Sequence, residues 1–268
     1  MIQDLDKKVL FSGLVLAFAL VIFASAFKAG KPTCNRFIFN TYSYIAFMTV
    51  WVIAANLYLI DYAKTNTSTD NSQSNTPESS KRTKSAMFVL SPLNLVILFF
   101  VSLYLLYRTM ILPVYKPLQK HFMALLWLTT FSIFTIPLTE RIQRTNPHGL
   151  AQLTTTFLSI IVSASAVAVI LPSLIKSWWI FPLMIGLIGV IIARIIFAII
   201  GYSAASSQQR GLSYFTILLF TFFVSYDTKV AIAAAKTCRE GAADYISFST
   251  NLFLDFLNIF SNLSSVSD

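Results

Sequence analysis

The segment from Trp178 to Tyr202 reads WWIFPLMIGLIGVIIARIIFAIIGY, and Arg194 is its single charged residue. A spanning helix needs about 20 mostly apolar residues, because the hydrocarbon core is about 30 Å thick. This run meets that requirement, and it is too long and continuous for a half-buried strand. It also lacks the dyad alternation of a membrane β-barrel. Seven more runs resemble it, at approximately 9–27, 38–60, 87–112, 121–138, 151–175, 212–235 and 243–262. The sequence therefore predicts an all-α integral membrane protein with eight apolar runs.

Composition agrees. The chain has 268 residues, of which 56% are hydrophobic, 15% aromatic and only 12% charged. Soluble domains carry about 25% charged residues, so this chain lacks the polar surface to cover a soluble core. The net charge of +9 is spread between the apolar runs and builds no basic face, which argues against a nucleic-acid partner and for membrane lipid as the surroundings. Cys34 and Cys238 lie in different inter-helix segments, with no CxxC and no His at metal spacing. Neither a disulfide framework nor a zinc site is expected from them. His121 and His148 each stand at the edge of a run, where a solvated side chain is the expectation. No GxGxxG, GxxxxGK[ST], HExxH or GxSxG pattern is present, so soluble-enzyme chemistry has no foothold and no cofactor is expected.

The joins are short. Pro113 and Pro117 bracket one turn, Pro147 and Gly149 mark another, and Pro172 stands near a third. Residues 62–86 differ, with Ser, Thr, Asn and charged residues throughout, and read as a flexible hydrophilic loop. That loop holds Asn66-Thr67-Ser68, a glycosylation acceptor if it faces a lumen. At the other extreme, Lys7-Lys8, an apolar stretch and Ala24-Ser25-Ala26 resemble a signal peptide; an ordinary uncleaved first helix is the expectation. Residues 1–35 are thus read as an additional N-terminal transmembrane helix or signal anchor, 36–262 as the main bundle and 263–268 as a short tail. Lysines and arginines flank both ends of the early runs and leave the orientation undecided.

Ionisable groups inside spans are costly and are functional candidates by default. Asp227 and Asp255 stand inside the last two runs, at equal distances from the expected turn around Arg239-Glu240-Gly241. Each is about 14 residues from that turn, or about 20 Å of helix at 1.5 Å per residue. Two antiparallel helices would then hold both carboxylates at one depth near mid-membrane. Asn251, Asp255, Asn258 and Asn262 fall at i, i+4, i+7 and i+11, so the last helix carries a polar stripe opposite Leu252, Phe253, Phe256, Leu257 and Phe260. Such a stripe must be satisfied by other helices, as interhelical glue, or by water in a functional polar core. Burial and like-charge repulsion oppose double ionisation of the two aspartates, so they are expected to titrate as a unit. They would hold one proton between them or bind a hard cation such as Ca²⁺ through oxygen ligands. Arg108, near the end of the third run, and Arg194, well inside the sixth, are the candidate counter-charges; snorkelling to the interface competes for both.

The residues Tyr226-Asp227-Thr228, Asp244-Tyr245 and Asn251-Leu252-Phe253-Leu254-Asp255-Phe256-Leu257-Asn258-Ile259-Phe260 resemble, in spacing, order and position, the signature of the Bax inhibitor-1 family, also called the transmembrane BAX inhibitor motif proteins. Upstream, residues 87–138, with Arg108 and Pro137, are similar to the family's second and third helices. Residues 151–175 and 178–202 are similar to the fourth and fifth, and Arg36 to Ala55, with Asn40-Thr41-Tyr42, to the first. The resemblance covers about residues 36–262 and leaves 9–27 as an extra helix. The long 62–86 loop and the lack of an acidic residue in the run 87–112 are departures from the pattern.

The resemblance implies a seven-helix bundle with a central hydrophobic helix, and a role in suppressing cell death with a pH-sensitive Ca²⁺ leak. It implies that Asp227 and Asp255 form the proton-sensitive pair, and that Arg108 latches one of them in the closed state. The host membrane it implies is the endoplasmic reticulum, Golgi or plasma membrane, if the source is eukaryotic or viral. The expected function is a pH-sensitive calcium leak channel and anti-apoptotic regulator, not an enzyme. The alternatives are a non-conducting cell-death regulator acting through apoptosis-regulating membrane proteins, and a proton-coupled transporter, which internal repeats would favour and none are detected.

Overall fold

The computed structural model describes residues 2–69, 92–145, 147–201 and 206–266. Among these, eight α-helices follow in order: α1 (Ile2–Ala26), α2 (Phe37–Thr69), α3 (Pro92–Ile111), α4 (Pro117–Thr145), α5 (Pro147–Ile170), α6 (Ile180–Ile200), α7 (Ser207–Thr237) and α8 (Tyr245–Val266). Three of them begin at a proline, whose fixed φ suits the first helical position and whose missing N–H would be unpaired there anyway. The run expected over 151–175 stops at Ile170 instead, because Pro172 disfavours helical geometry in the residue before it. Conversely, α2 runs on to Thr69, past the end of its apolar run and into the segment read as loop; the rest of that loop lies outside the described residues. Likewise α8 continues to Val266 through what was read as a tail, and Ser264 is buried within it.

Five helices, α1, α2, α5, α6 and α7, are long and apolar enough by themselves to cross a membrane. The described apolar part of α3 is shorter, α4 is diluted by polar residues and α8 carries the Asn/Asp stripe. Packing unites all eight. α1, the helix beyond the seven-helix set, lies along α2, and Ser25 Oγ donates to Asn40 Oδ1 at 2.8 Å. Between them, β1 (Phe27–Lys28) and β2 (Lys31–Pro32) pair antiparallel around Ala29 and Gly30. Both turn residues have positive φ, +49° and +75°, as a two-residue hairpin matching strand twist requires.

The helix at the centre is α8, which packs against α2, α3, α4, α5 and α7. Its Leu252, Phe253 and Ile259 join Trp127 and Leu128 of α4 and Phe223 and Val224 of α7 in the main core. Phe256 and Phe260 instead meet Phe157 of α5, edge to face, at 6.1 and 5.4 Å between ring centroids. So the central helix is apolar on the flanks that pack and polar on the stripe between them.

One end of the bundle is stapled. Cys34, between β2 and α2, and Cys238, between α7 and α8, form a disulfide across a sequence separation of 204 residues. This overturns the expectation that the two cysteines are unrelated. Both follow an odd number of helices from the start of α1, and so they emerge at the same end. That end is called the disulfide end below.

Candidate functional site

Local sequence explains why α7 and α8 form an antiparallel hairpin. Ser206 takes an extended conformation before α7 and its side chain accepts from Gln209 N at 3.3 Å, a helix N-cap. At the far end Gly241 adopts φ +81°, the left-handed region open to glycine, and its N–H donates to Pro32 O at 2.9 Å. Asp244 then starts α8, its Oδ1 accepting from Ser247 N at 3.2 Å.

This hairpin brings Asp227 and Asp255 together. Asp227 is ten residues before the end of α7 (237 − 227) and Asp255 ten after the start of α8 (255 − 245). Each therefore lies about 15 Å from the disulfide end at 1.5 Å per residue. The matched register of the packed α7 and α8 sets the two carboxyl groups at one depth. Asp255 is only 6% exposed, Asp227 is half-buried, and Asp255 Oδ2 has no hydrogen-bond donor. Two ionised carboxylates have no proton to place between them, so a hydrogen bond here requires that one be protonated. A buried oxygen without a donor is costly.

The counter-charges stand apart from the pair. Arg108 is three residues from the end of α3 (111 − 108), about 10 Å nearer the disulfide end than the aspartates. Among the described residues no ion pair joins it to either carboxylate, so the latch implied by the resemblance is not formed in this conformation. Arg194 bonds to the stripe, not to the aspartates: its Nη2 donates to Asn262 Oδ1 at 2.5 Å. The stripe itself is uneven. Asn251 is exposed, Asp255 and Asn262 are buried, and Asn258 is intermediate. Asn258 Nδ2 and Asn262 Nδ2 donate to their own helix, at Leu254 O (2.8 Å) and Asn258 O (2.7 Å). Among the described residues, no group of three or more His, Cys, Asp or Glu side chains gathers at the pair or elsewhere. Two carboxylates fall short of the six to eight oxygens of a resident Ca²⁺ site.

The sequence reading missed a second polar cluster at the disulfide end. His121 is not solvated: Nδ1 bonds to Pro117 O and Nε2 to the Tyr44 hydroxyl, both at 2.6 Å. A carbonyl only accepts, so Nδ1 carries the proton and a neutral ring accepts at Nε2 from Tyr44. The His148 side chain lies outside the described residues. Tyr44 stacks on Tyr245, whose hydroxyl donates to Thr33 O and accepts from Asn40 Nδ2 at 3.2 Å. Lys120 Nζ donates to Asp244 Oδ2 at 2.8 Å and Ser247 Oγ at 2.9 Å. Tyr44, Lys120, His121, Asp244 and Tyr245, with Phe27, line a cavity of about 20 Å³, room for a single water. Two signals were available: Asp244-Tyr245 and Asn40 belong to the stretches that carry the family resemblance, and Asp244-Tyr245 and Pro117 to His121 follow odd-numbered helices and so share an end.

The family model for inhibitor of apoptosis-promoting Bax1 matches residues 34–266, which is α2 to α8 with the first cysteine and without α1. No curated protein matches the chain.

Proposed function

The chain belongs to the Bax inhibitor-1 family and is a multi-pass membrane protein, and from that premise we propose that it is a pH-sensitive Ca²⁺ leak pathway that restrains cell death, gated by Asp227 and Asp255. The observation that carries the reading is the buried oxygen of Asp255 on the central helix, without a donor, at the same depth as the second carboxyl, Asp227 of α7. A hard cation crossing a membrane needs oxygen ligands at mid-depth, and this pair offers them. No covalent chemistry is asked of the site, and Ca²⁺ is its cargo.

Protonation sets the gate. With one proton shared, the carboxyls bond to each other and the pair is closed. When that proton leaves, two carboxylates repel at close range in a poorly solvated site and move apart. Charged groups on the surrounding helices modulate this: Arg108 on α3, Lys120 on α4 and Lys229 on α7 lie toward the disulfide end, and Arg194 on α6 toward the other. Leak should therefore rise as pH is raised through the titration of the pair.

Ca²⁺ efflux from liposomes containing the purified protein, followed from pH 5 to 8, tests this. Asp255→Asn and Asp227→Asn replace the shared proton by an amide N–H, which holds the pair together without titrating. Each should flatten the pH dependence and keep efflux near its low-pH level. A folded wild-type protein with no efflux above empty liposomes at any pH would sink the leak pathway and move the function to membrane-protein partners. A wild-type pH profile retained in both variants would remove the aspartates from the gate.

A further inference from the structure

Resting on the leak reading above, we propose that Arg194 is a second gate of the same path, closing it on the side away from the disulfide.

α6 packs mainly on α7 and is apolar throughout except for Arg194. Arg194 nevertheless reaches past α7 to α8 and bonds to Asn262 there. A charged residue in the hydrocarbon region costs several kcal/mol unless it is paired or wet. A lone anchor for α6 would be served as well by a neutral side chain.

The stripe on α8 shows what the guanidinium covers. The amide nitrogens of Asn258 and Asn262 each donate to a carbonyl of their own helix, which turns the amide oxygens away from the backbone. Asp255, Asn258 and Asn262 thus present a carboxylate and two amide oxygens along one face, successive members about 4.5 and 6 Å apart along the axis. Oxygen rows of this kind suit a hard cation. The stripe comes to the surface toward the disulfide end at exposed Asn251 and is buried at Asp255. Asn262 is buried as well, and the exposed Arg194 covers it from the flank of the bundle and occupies the last oxygen. Asn262 is seven residues beyond Asp255, about 10 Å along α8. A fixed positive charge at that point both fills the exit and repels a divalent cation leaving the aspartates. Opening then requires the guanidinium to release Asn262.

The test is Ca²⁺ efflux from proteoliposomes holding wild type, Arg194→Lys, Arg194→Gln and Arg194→Glu, with Asp255→Asn measured alongside. Thermal unfolding in detergent is measured on each. If the charge gates, efflux rises in the order Arg ≈ Lys, then Gln, then Glu, with Arg194→Gln up roughly tenfold. A structural role would not produce an order that follows charge. Asn262→Ala, which frees the guanidinium but keeps its charge, should also raise efflux and covers the case in which Arg194→Glu fails to fold. Should Arg194→Gln and Asn262→Ala both leak like the wild type while Asp255→Asn alters the pH profile, the second gate is wrong and the aspartate gate stands. Efflux absent from every folded protein would defeat the leak reading itself.

Discussion

Lys120 is 2% exposed, and its ammonium is held by Asp244 and Ser247. Asp244 has a second duty as the N-cap of α8, through Oδ1 and Ser247 N. The two duties separate by substitution. Asp244→Asn keeps the capping oxygen but leaves Lys120 without its counter-charge in a buried site, which should cost about 1–3 kcal/mol; the 26% exposure of the Asp244 side chain keeps this below the figure for a fully buried pair. Asp244→Ala removes the cap as well, for about 1 kcal/mol more. Thermal unfolding in detergent should therefore rank wild type above Asp244→Asn and Asp244→Ala lowest; equal melting temperatures for the two variants would show that the cap contributes nothing. At this scale the sequence was legible where a residue contradicts its surroundings. Asp227, Asp255 and Arg194 stand out inside apolar runs, and their distance from a turn sets their depth. Lys120 and His121 sit at a run's edge, where water is the expected partner, and only the fold supplies Asp244 and Tyr44 from helices far away in sequence.

Helix α6 depends on one close approach. A Cβ on Gly186 would stand 2.9 Å from Leu219 Cδ1 of α7, whereas Gly189 has nothing within 4 Å. Leu219 is 6% exposed, so its terminal methyl can give way by a few tenths of an ångström but the side chain has no open space to swing into. Trp179 and Phe222 meet edge to face at 5.8 Å nearer the disulfide end, and Arg194 ties α6 to α8 nearer the other. Gly186→Ala asks one terminal methyl to shift and should be nearly neutral. Gly186→Val should wedge the helices apart and destabilise by about 1–3 kcal/mol, with Gly189→Val as the silent control in the same unfolding assay. Comparable losses at both positions would mean that the contact is not special. Helix existence was legible because apolar runs of this length leave few alternatives. The ends were less so. Hydropathy continues past Ile170 while Pro172 stops the helix, and polarity begins before Thr69 while the backbone of α2 goes on. Nor did the sequence reveal that the most polar of the late helices is the central one, since that depends on which flanks find partners.

The molecule as a whole is oriented by its disulfide. Each connection from an odd-numbered helix to the next emerges at the disulfide end, and that end ties the hairpin of α1 and α2 to the hairpin that carries the aspartates. Charge does not decide which way the bundle points: among the described residues, Lys28, Lys31, Arg36, Lys116, Lys176, Lys236 and Arg239 belong to the disulfide end, against Lys7, Lys8, Lys64, Arg141, Arg144 and Arg210 at the other. Redox chemistry does decide it. A disulfide persists in a lumen, a periplasm or outside the cell, and is reduced in the cytosol. The prediction is that Cys34 and Cys238 face the oxidising side, with the opposite end of the bundle in the cytosol. In sealed vesicles with the cytosolic face outward, an impermeant maleimide should then fail to label the protein, and should label both thiols only after reduction and permeabilisation. The triplet Asn66-Thr67-Ser68, at the far end of α2, should carry no glycan. Labelling without reductant from the cytosolic face would invert the orientation and leave the thiols free. Cys34→Ser separates topology from stability: it should lower the melting temperature through loss of a link worth about 2–5 kcal/mol while leaving the orientation unchanged. The same variant frees the end of the α7–α8 hairpin, so under the proposed leak its Ca²⁺ efflux should lose part of its pH dependence, and an unchanged profile would show that the staple does not set the register of Asp227 and Asp255.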